Sequence, residues 1–378
     1  MGRARLQVSN LSCGRGRLRD LLLIALFLLA ISLPGVSQLA GLWQAMPASE
    51  QRPLSKAPSW PATYGAWRFL AQDIDSYLAN RMGFRSWLLI AGHRLRYEFG
   101  APVTHDVVIG KRGWLFYGGS EEIEKYLGLR PLGAPQIQAI IDRLDRYRRE
   151  LRAHGALFVF VIAPNKSSIY PEELPDGLNP IGPTPADQLL RALAARPDIP
   201  VVDGRALLLQ NRQLGPLFYK TDSHWNDLGA FIVLRAAIAR AGLGAERFRP
   251  LSDYEITLGS GATDLLRLLD MGRDLEWGVP YLAEKFPRPG LRWQRNAPDD
   301  PVTDVITQPP PARGRVLVIG DSFSIAWMRF LGDNFARVVR VAYAQQAHDA
   351  AIASERPDLV IVEIVEREIG GWWPNSAP

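Results

Sequence analysis

VLVIGDSFS, residues 316–324, sets four apolar residues with strand preference against a Gly-Asp-Ser turn. Val316 to Ile319 is apolar at every position rather than at alternate ones, the pattern of a strand covered on both faces. Gly320 lets the backbone turn without steric cost, and Ser324 to Leu331 has the spacing of a following helix. In open α/β sheets chemistry collects where such strands end. A serine placed there stands at a helix N-terminus, where unpaired N–H groups favour developing negative charge. Asp321 or Ser322 could equally serve only as a helix cap.

The same pattern recurs on both sides of this stretch. Leu157–Ile162, Val338–Val341 and Leu359–Val362 are apolar runs of strand length, and Ile199–Val202 is a shorter one. Helical spacing separates them at about Ala134–Ala153, Ala186–Ala195, Asp227–Arg240 and Ala347–Ser354. Strands alternating with helices predict an α/β fold with a parallel sheet and helices on both faces. Val107 to Phe116 reads as a hairpin around Gly110-Lys111-Arg112-Gly113. Tyr64 to Phe99 reads as two helices with a break at residues 80–85, and residues 250–312 as an irregular insertion near the site.

Of the 378 residues, 47% are hydrophobic and 22% charged, enough to build a large core and to exclude global disorder. The net charge of +5 is partly owed to Arg3, Arg5, Arg15, Arg17 and Arg19. No basic run interleaved with aromatics points to nucleic acid. The single cysteine, Cys13, precedes the apolar segment and is read as incidental. Leu21 to Leu33 is apolar apart from Ser32, and the apolar character resumes at Leu39. With the arginines before it, this predicts a transmembrane helix with a cytoplasmic N-terminus. The resumption favours an uncleaved anchor over a cleaved signal peptide with a site at Gly35-Val36-Ser37. The expected layout is a basic tail over 1–20, an anchor or signal segment over 21–46, a proline-rich tether over 47–63 and a catalytic domain over 64–378. That domain would lie in the periplasm of a bacterium, held at the inner membrane.

A second cluster is Lys220-Thr221-Asp222-Ser223-His224-Trp225-Asn226-Asp227. A serine hydroxyl needs a base to become nucleophilic, and the base needs a carboxylate on its other nitrogen. Among five histidines, His224 alone stands beside an aspartate in so polar and turn-like a setting. Asp222, His224 and Ser322 thus supply three complementary roles. The alternatives are a helix-capping histidine or a metal site of Asp222, His224 and Asp227; the reading adopts neither metal nor cofactor. Asn165 and Lys166 follow the Leu157–Ile162 strand and are candidates for the same cleft, Asn165 for an oxyanion hole. Tyr219 and Trp225 are candidates for a sugar platform, or else packing residues that hold the Asp-His loop.

These motifs resemble the SGNH-hydrolase-like domain of the alginate O-acetylation proteins AlgJ and AlgX. The resemblance rests on Asp222-Ser223-His224-Trp225-Asn226, Gly320-Asp321-Ser322, Gly110 to Phe116, Phe84-Arg85, Ala163 to Lys166 with Tyr170-Pro171-Glu172, and Tyr219-Lys220-Thr221. It covers roughly residues 64–370. It implies a triad in the order Asp222, His224, Ser322 and O-acetylation of an exopolysaccharide in the periplasm. It also implies a membrane-bound O-acyltransferase partner that supplies the acetyl group. The layout resembles AlgJ more than AlgX, because the chain ends soon after the last strand. Asp321 follows the general form of SGNH hydrolases, so an esterase stays open beside the transferase, as does a non-catalytic scaffold of a secretion complex.

Overall fold

The computed structural model describes residues 12–39, 58–61, 63–81, 85–244, 248–260, 264–269, 277–286, 290–296, 302–310, 312–342 and 348–371. The basic residues up to position 11, most of the 47–63 tether, Phe84 and Ala347 lie outside them.

The chain divides into two compact units, one of residues 1–98 with 270–272 and one holding the remainder. In the first, α1 runs Ser12–Leu39, α2 Trp67–Arg81 and α3 Arg85–Glu98. The two helices expected to open the catalytic domain therefore fall in this unit. Helix α1 covers residues 21–39 of the expected anchor, with 40–46 outside the described residues, and among the described residues no helix is long and apolar enough to cross a membrane. Leu21 to Leu33 gives about 20 Å of helix at ~1.5 Å per residue. A hydrocarbon core is about 30 Å thick, and Pro34 and Gly35 follow directly.

The second unit carries the site. Strands β1 (Val107–Ile109) and β2 (Leu115–Tyr117) form the expected antiparallel hairpin, closed by a 3-10 turn at Lys111–Gly113. There follow α4 (Glu122–Tyr126), α5 (Ala134–Ala153), β3 (Leu157–Ala163), α6 (Lys166–Ile169), α7 (Pro185–Leu193), β4 (Val201–Asp203), α8 (Gly204–Gln210) and α9 (Asp227–Arg240). Next come β5 (Tyr254–Ser260), α10 (Asp264–Leu268), β6 (Trp277–Glu284), β7 (Arg292–Arg295) and β8 (Val302–Thr307). The chain closes with β9 (Arg315–Gly320), α11 (Trp327–Gly332), β10 (Arg337–Ala342), α12 (His348–Glu355) and β11 (Leu359–Val365).

The main sheet has seven strands in the order β4-β3-β11-β9-β10-β8-β7. From β4 to β10 neighbours run parallel; β8 and β7 are antiparallel additions. The expected parallel sheet is thus a mixed one. The supposed irregular insertion contributes two of its strands, and β5 and β6 pair separately as an antiparallel ribbon. The signal was weak because β7 is exposed throughout and Asp304 interrupts β8.

The central strands are apolar throughout because each face has its own core. Val159, Val161, Val316, Val318 and Ile361 pack under α9 and α11. Phe158, Phe160, Ile162, Leu317, Ile319, Val360 and Val362 pack under α5, α7 and α12. The alternation follows the two-residue period of a strand. Burying each such side chain stabilises the fold by about 1.5–3 kcal/mol. This rigid slab brings the carboxyl ends of β3, β9 and β11 to one edge.

Candidate active site

Ser322 lies two residues past the end of β9 and opens a 3-10 turn, Ser322–Ala326, that leads into α11. Asp321 caps the turn: its Oδ1 accepts from the Phe323 N–H at 2.9 Å and its Oδ2 from the Val365 N–H at 2.8 Å. Gly320 is required by close approach. A Cβ there would stand 2.7 Å from Glu363 Oε2 and 2.8 Å from Ser324 Oγ.

Asp222 and His224 lie in a loop closed by an antiparallel bridge between Phe218 and Trp225. The Tyr219 N–H donates to the His224 carbonyl at 3.2 Å and the Asn226 N–H to the Leu217 carbonyl at 3.0 Å. Asn226 caps α9, accepting from the Leu228 and Gly229 N–H groups at 3.1 Å each. From β2, the Leu115 N–H donates to the Lys220 carbonyl at 3.0 Å, so the Gly-Trp-Leu-Phe stretch braces this loop.

The loop meets the turn in one hydrogen-bonded line. Asp222 Oδ1 lies 2.7 Å from His224 Nδ1, and His224 Nε2 lies 2.7 Å from Ser322 Oγ. A carboxylate only accepts, so it holds the proton on Nδ1 and leaves the Nε2 lone pair for the serine hydroxyl. Asp222 is buried, which works to raise its pKa. The hydrogen bond and charge of His224, with N–H donation from Asp264 and His224, prevail and hold it at about 2.

Three further candidates are buried. Lys166 does not enter the cleft: it is 2% exposed, and its ammonium donates to the carbonyls of Tyr219, Lys220 and Asp222 at 3.1, 3.1 and 2.7 Å. It also lies 5.7 and 5.4 Å from the Trp114 and Phe116 ring centres. It is a strut inside the Asp-His loop. Asn165 is buried; its N–H donates to Glu366 and its Oδ1 accepts from Arg367 at 3.4 Å. Trp225 is 1% exposed, donates to the Phe323 carbonyl at 3.0 Å and packs on Phe323 and Trp327. It is core, not platform.

A pocket of about 320 Å³ opens over Ser322 and His224. Tyr219, Phe323, Ile325, Arg329 and Trp293 line it. The exposed indole at this pocket is Trp293, 40% accessible, whose N–H donates to Asp304 at 3.0 Å. Asp227, the third member of the metal alternative, turns away to Arg329 at 2.6 Å and to the Leu282 N–H at 3.2 Å. A different group, Asp222, His224 and Asp264, has donor atoms within 4.8 Å of one another. Those atoms are taken up in hydrogen bonds with one another and with Ser223.

Residues 107–364 match the family described as SGNH hydrolase-like domain, acetyltransferase AlgX. The chain belongs to that family. A probable alginate O-acetylase AlgJ of Pseudomonas aeruginosa is 32% identical over 246 residues, covering 61% of this chain and 55% of that protein. Another, from Pseudomonas syringae pv. tomato, is 29% identical over 230 residues, covering 58% and 52%. The chain spans about half the length of the curated relatives it matches. Among solved structures it is similar to Bacillus cereus PatB1, at 17% identity and TM-score 0.48 over 70% of this chain and 97% of that one. It is also similar to the O-acetyltransferase domain of Pseudomonas putida AlgJ, at 18% and 0.41 over 70% and 92%.

The AlgX-family domain also uses residues that the motifs did not flag. Arg340, 5% exposed, donates to Ser324 Oγ at 2.8 Å and to the Asp321 and Gly320 carbonyls at 2.7 and 3.3 Å. It further reaches Thr303 at 2.6 Å and Asp304 at 3.4 Å. Burial pulls its guanidinium pKa down, against the charges of Asp304, Glu363 and Asp321. Glu363 is fully buried, accepts from the Asp321 N–H at 3.1 Å, and is pushed well above the usual carboxyl range by burial and by Asp321. A lone charge inside an apolar strand (RVVRVA, LVIVEIV) is the signal for both. Asp264, next to Asp222, has no motif at all.

Proposed function

We propose that this chain is an exported O-acetyltransferase that carries an acetyl group on Ser322 to hydroxyls of an exopolysaccharide such as alginate. The unbroken Asp222–His224–Ser322 line, 2.7 Å at each junction, carries this reading. His224 Nε2 takes the hydroxyl proton as Ser322 Oγ attacks the acetyl carbonyl. The tetrahedral intermediate collapses, the leaving group departs with that proton, and acetyl-serine remains. A sugar hydroxyl then attacks the ester, gives its proton to His224, and leaves acetylated as Ser322 recovers the proton. Asp222 holds the imidazole and offsets its charge in both halves. The names of the AlgJ relatives support transfer to a sugar over hydrolysis.

The test is to incubate the chain with an activated acetyl ester and a soluble polysaccharide. Acetylated Ser322 in the peptide map and acetyl groups on the polymer are the expected products. Free acetate alone would establish an esterase, and an unmodified serine would leave only a scaffold.

Trp293 gives the acceptor a surface to stack on, since an exposed indole beside the nucleophile offers apolar area to a sugar face. Trp293→Ala is expected to raise the apparent KM for polymer by roughly two- to tenfold, the equivalent of the about 0.5–1.5 kcal/mol such a contact contributes. Acetylation of Ser322 should be unaltered. An unchanged polymer KM would place the acceptor elsewhere.

The apolar run in α1, with basic residues before it, supports an inner-membrane anchor and a periplasmic catalytic domain. The acetyl donor is then supplied across the membrane by a membrane-bound O-acyltransferase. Deleting residues 1–46 is expected to move the protein from the membrane to the soluble fraction; unchanged membrane association would exclude this anchor.

A further inference from the structure

Three groups converge on the Asp222–His224 loop from α10, which belongs to neither motif. The Asp264 N–H donates to Asp222 Oδ2 at 2.8 Å, filling the carboxylate oxygen that His224 leaves free. Asp264 Oδ1 accepts the Ser223 N–H at 2.7 Å, and Oδ2 accepts the Ser223 hydroxyl at 2.5 Å. The same Oδ2 lies 3.5 Å from His224 Nδ1. Two carboxylates therefore flank one imidazole nitrogen, only one of them in line with it.

A plain brace for Ser223 would not need a charge so close to Asp222. Burial and the charge of Asp222 both push the Asp264 pKa up, so the carboxylate is held there at a cost. That cost is offset when the imidazole becomes positive, because the second carboxylate then faces a cation. The other groups facing His224 are Asp222, Ser223, Ser322 and the Phe323 ring at 4.8 Å. Arg329 lines the same pocket and is paired to Asp227.

We infer that Asp264 is a positioning residue of the acyl-transfer site. It clamps the Asp222-Ser223-His224 turn and adds a second negative charge at His224 Nδ1. The inference rests on the proposed role of Ser322 and His224. It also assigns a task to α10, in the segment whose strands build the pocket wall.

The full chain should be assayed with p-nitrophenyl acetate, following p-nitrophenolate release and acetylation of Ser322. Asp264→Asn keeps the shape and loses the charge. It is expected to slow acetylation by about tenfold, the equivalent of one pKa unit of interaction. KM for the ester should stay the same, and the acid limb of the pH profile should move to lower pH. The imidazole pKa of His224, followed by NMR in a Ser322→Ala background, should fall in step. Asp264→Glu, which keeps a charge on a displaced carboxylate, should lose rate but keep the pH limb closer to the original. In Asp222→Asn, adding Asp264→Asn should lower the rate further. An unmoved pH limb and imidazole pKa, or a double variant no slower than Asp222→Asn alone, would overturn the inference. If Asp264→Asn does not fold, Asp264→Ser, which also removes the charge, decides by the same two readouts. Full acetylation in Ser322→Ala would instead overturn the underlying reading of the site.

Discussion

Ser322→Ala is expected to lower acetyl transfer by about a millionfold, the loss typical when the nucleophile of a cooperating triad is removed. The stability of the chain should stay within about 0.5 kcal/mol of the original, as for other exposed substitutions outside packed features. The structure makes these two outcomes separable. Ser322 is exposed, and its hydroxyl meets only His224 among the described side chains. The turn that presents it is held by Asp321, Glu363 and Arg340, none of which uses that hydroxyl. Parallel measurement of acetyl-serine formation and thermal unfolding checks both. A variant that melts normally and still transfers acetyl would show that another group carries it. His224→Ala should cost nearly as much, because members of such a unit act together rather than additively.

The largest effect on stability is expected from Arg340→Met. Its guanidinium sits among Ser324, Thr303, Asp304 and the carbonyls of Gly320 and Asp321. Methionine fills much of the volume but leaves the buried Asp304 carboxylate facing no cation at that side and removes the guanidinium donors from the Gly320 and Asp321 carbonyls. Breaking one side of a buried ion pair costs about 3–5 kcal/mol. In a protein of this size that lowers Tm by about 5 °C. Activity should fall as well, since Asp321 and Ser324 shape the turn that aims Ser322. Differential scanning calorimetry with the acetylation assay reads both; a Tm within a degree of the original would mean that the pocket reorganises around methionine. Asp304 also holds Trp293 and Arg295, so the loss should reach the pocket wall.

The legible parts of the sequence were those where one local pattern had one physical cause. Leu157–Ile162, Val316–Ile319 and Leu359–Val362 are apolar at every step because both faces are covered, and each is a central strand. Asp222, His224 and Ser322 lie in turns adjoining such elements, so their meeting followed from the layout. What was misread depended on distant partners. Lys166 reads as a cleft residue until three carbonyls from residues 219–222 surround it. Strand β8 was hidden because Asp304 breaks its apolar pattern, and the facing Arg340 on β10, with Trp293 and Arg295 on β7, makes that tolerable. Of the two readings of Trp225 the packing one holds, and the exposed indole at the pocket is Trp293, which no motif marked, since indole exposure is set by tertiary packing. Asp264 reaches its position from an unmarked segment, and nothing near it in sequence announces the contact.

The ends of the main sheet bear on how this protein behaves when concentrated. One terminal strand, β4, is three residues long, and the other, β7, reads Arg-Trp-Gln-Arg with every residue exposed. An unpaired strand edge invites another chain to add to it and seed insoluble aggregates. Shortness at one end and two arginines at the other work against that event. Like charges would face each other if two copies aligned their β7 edges, so the sheet can stay open at the pocket side without becoming a route to precipitation.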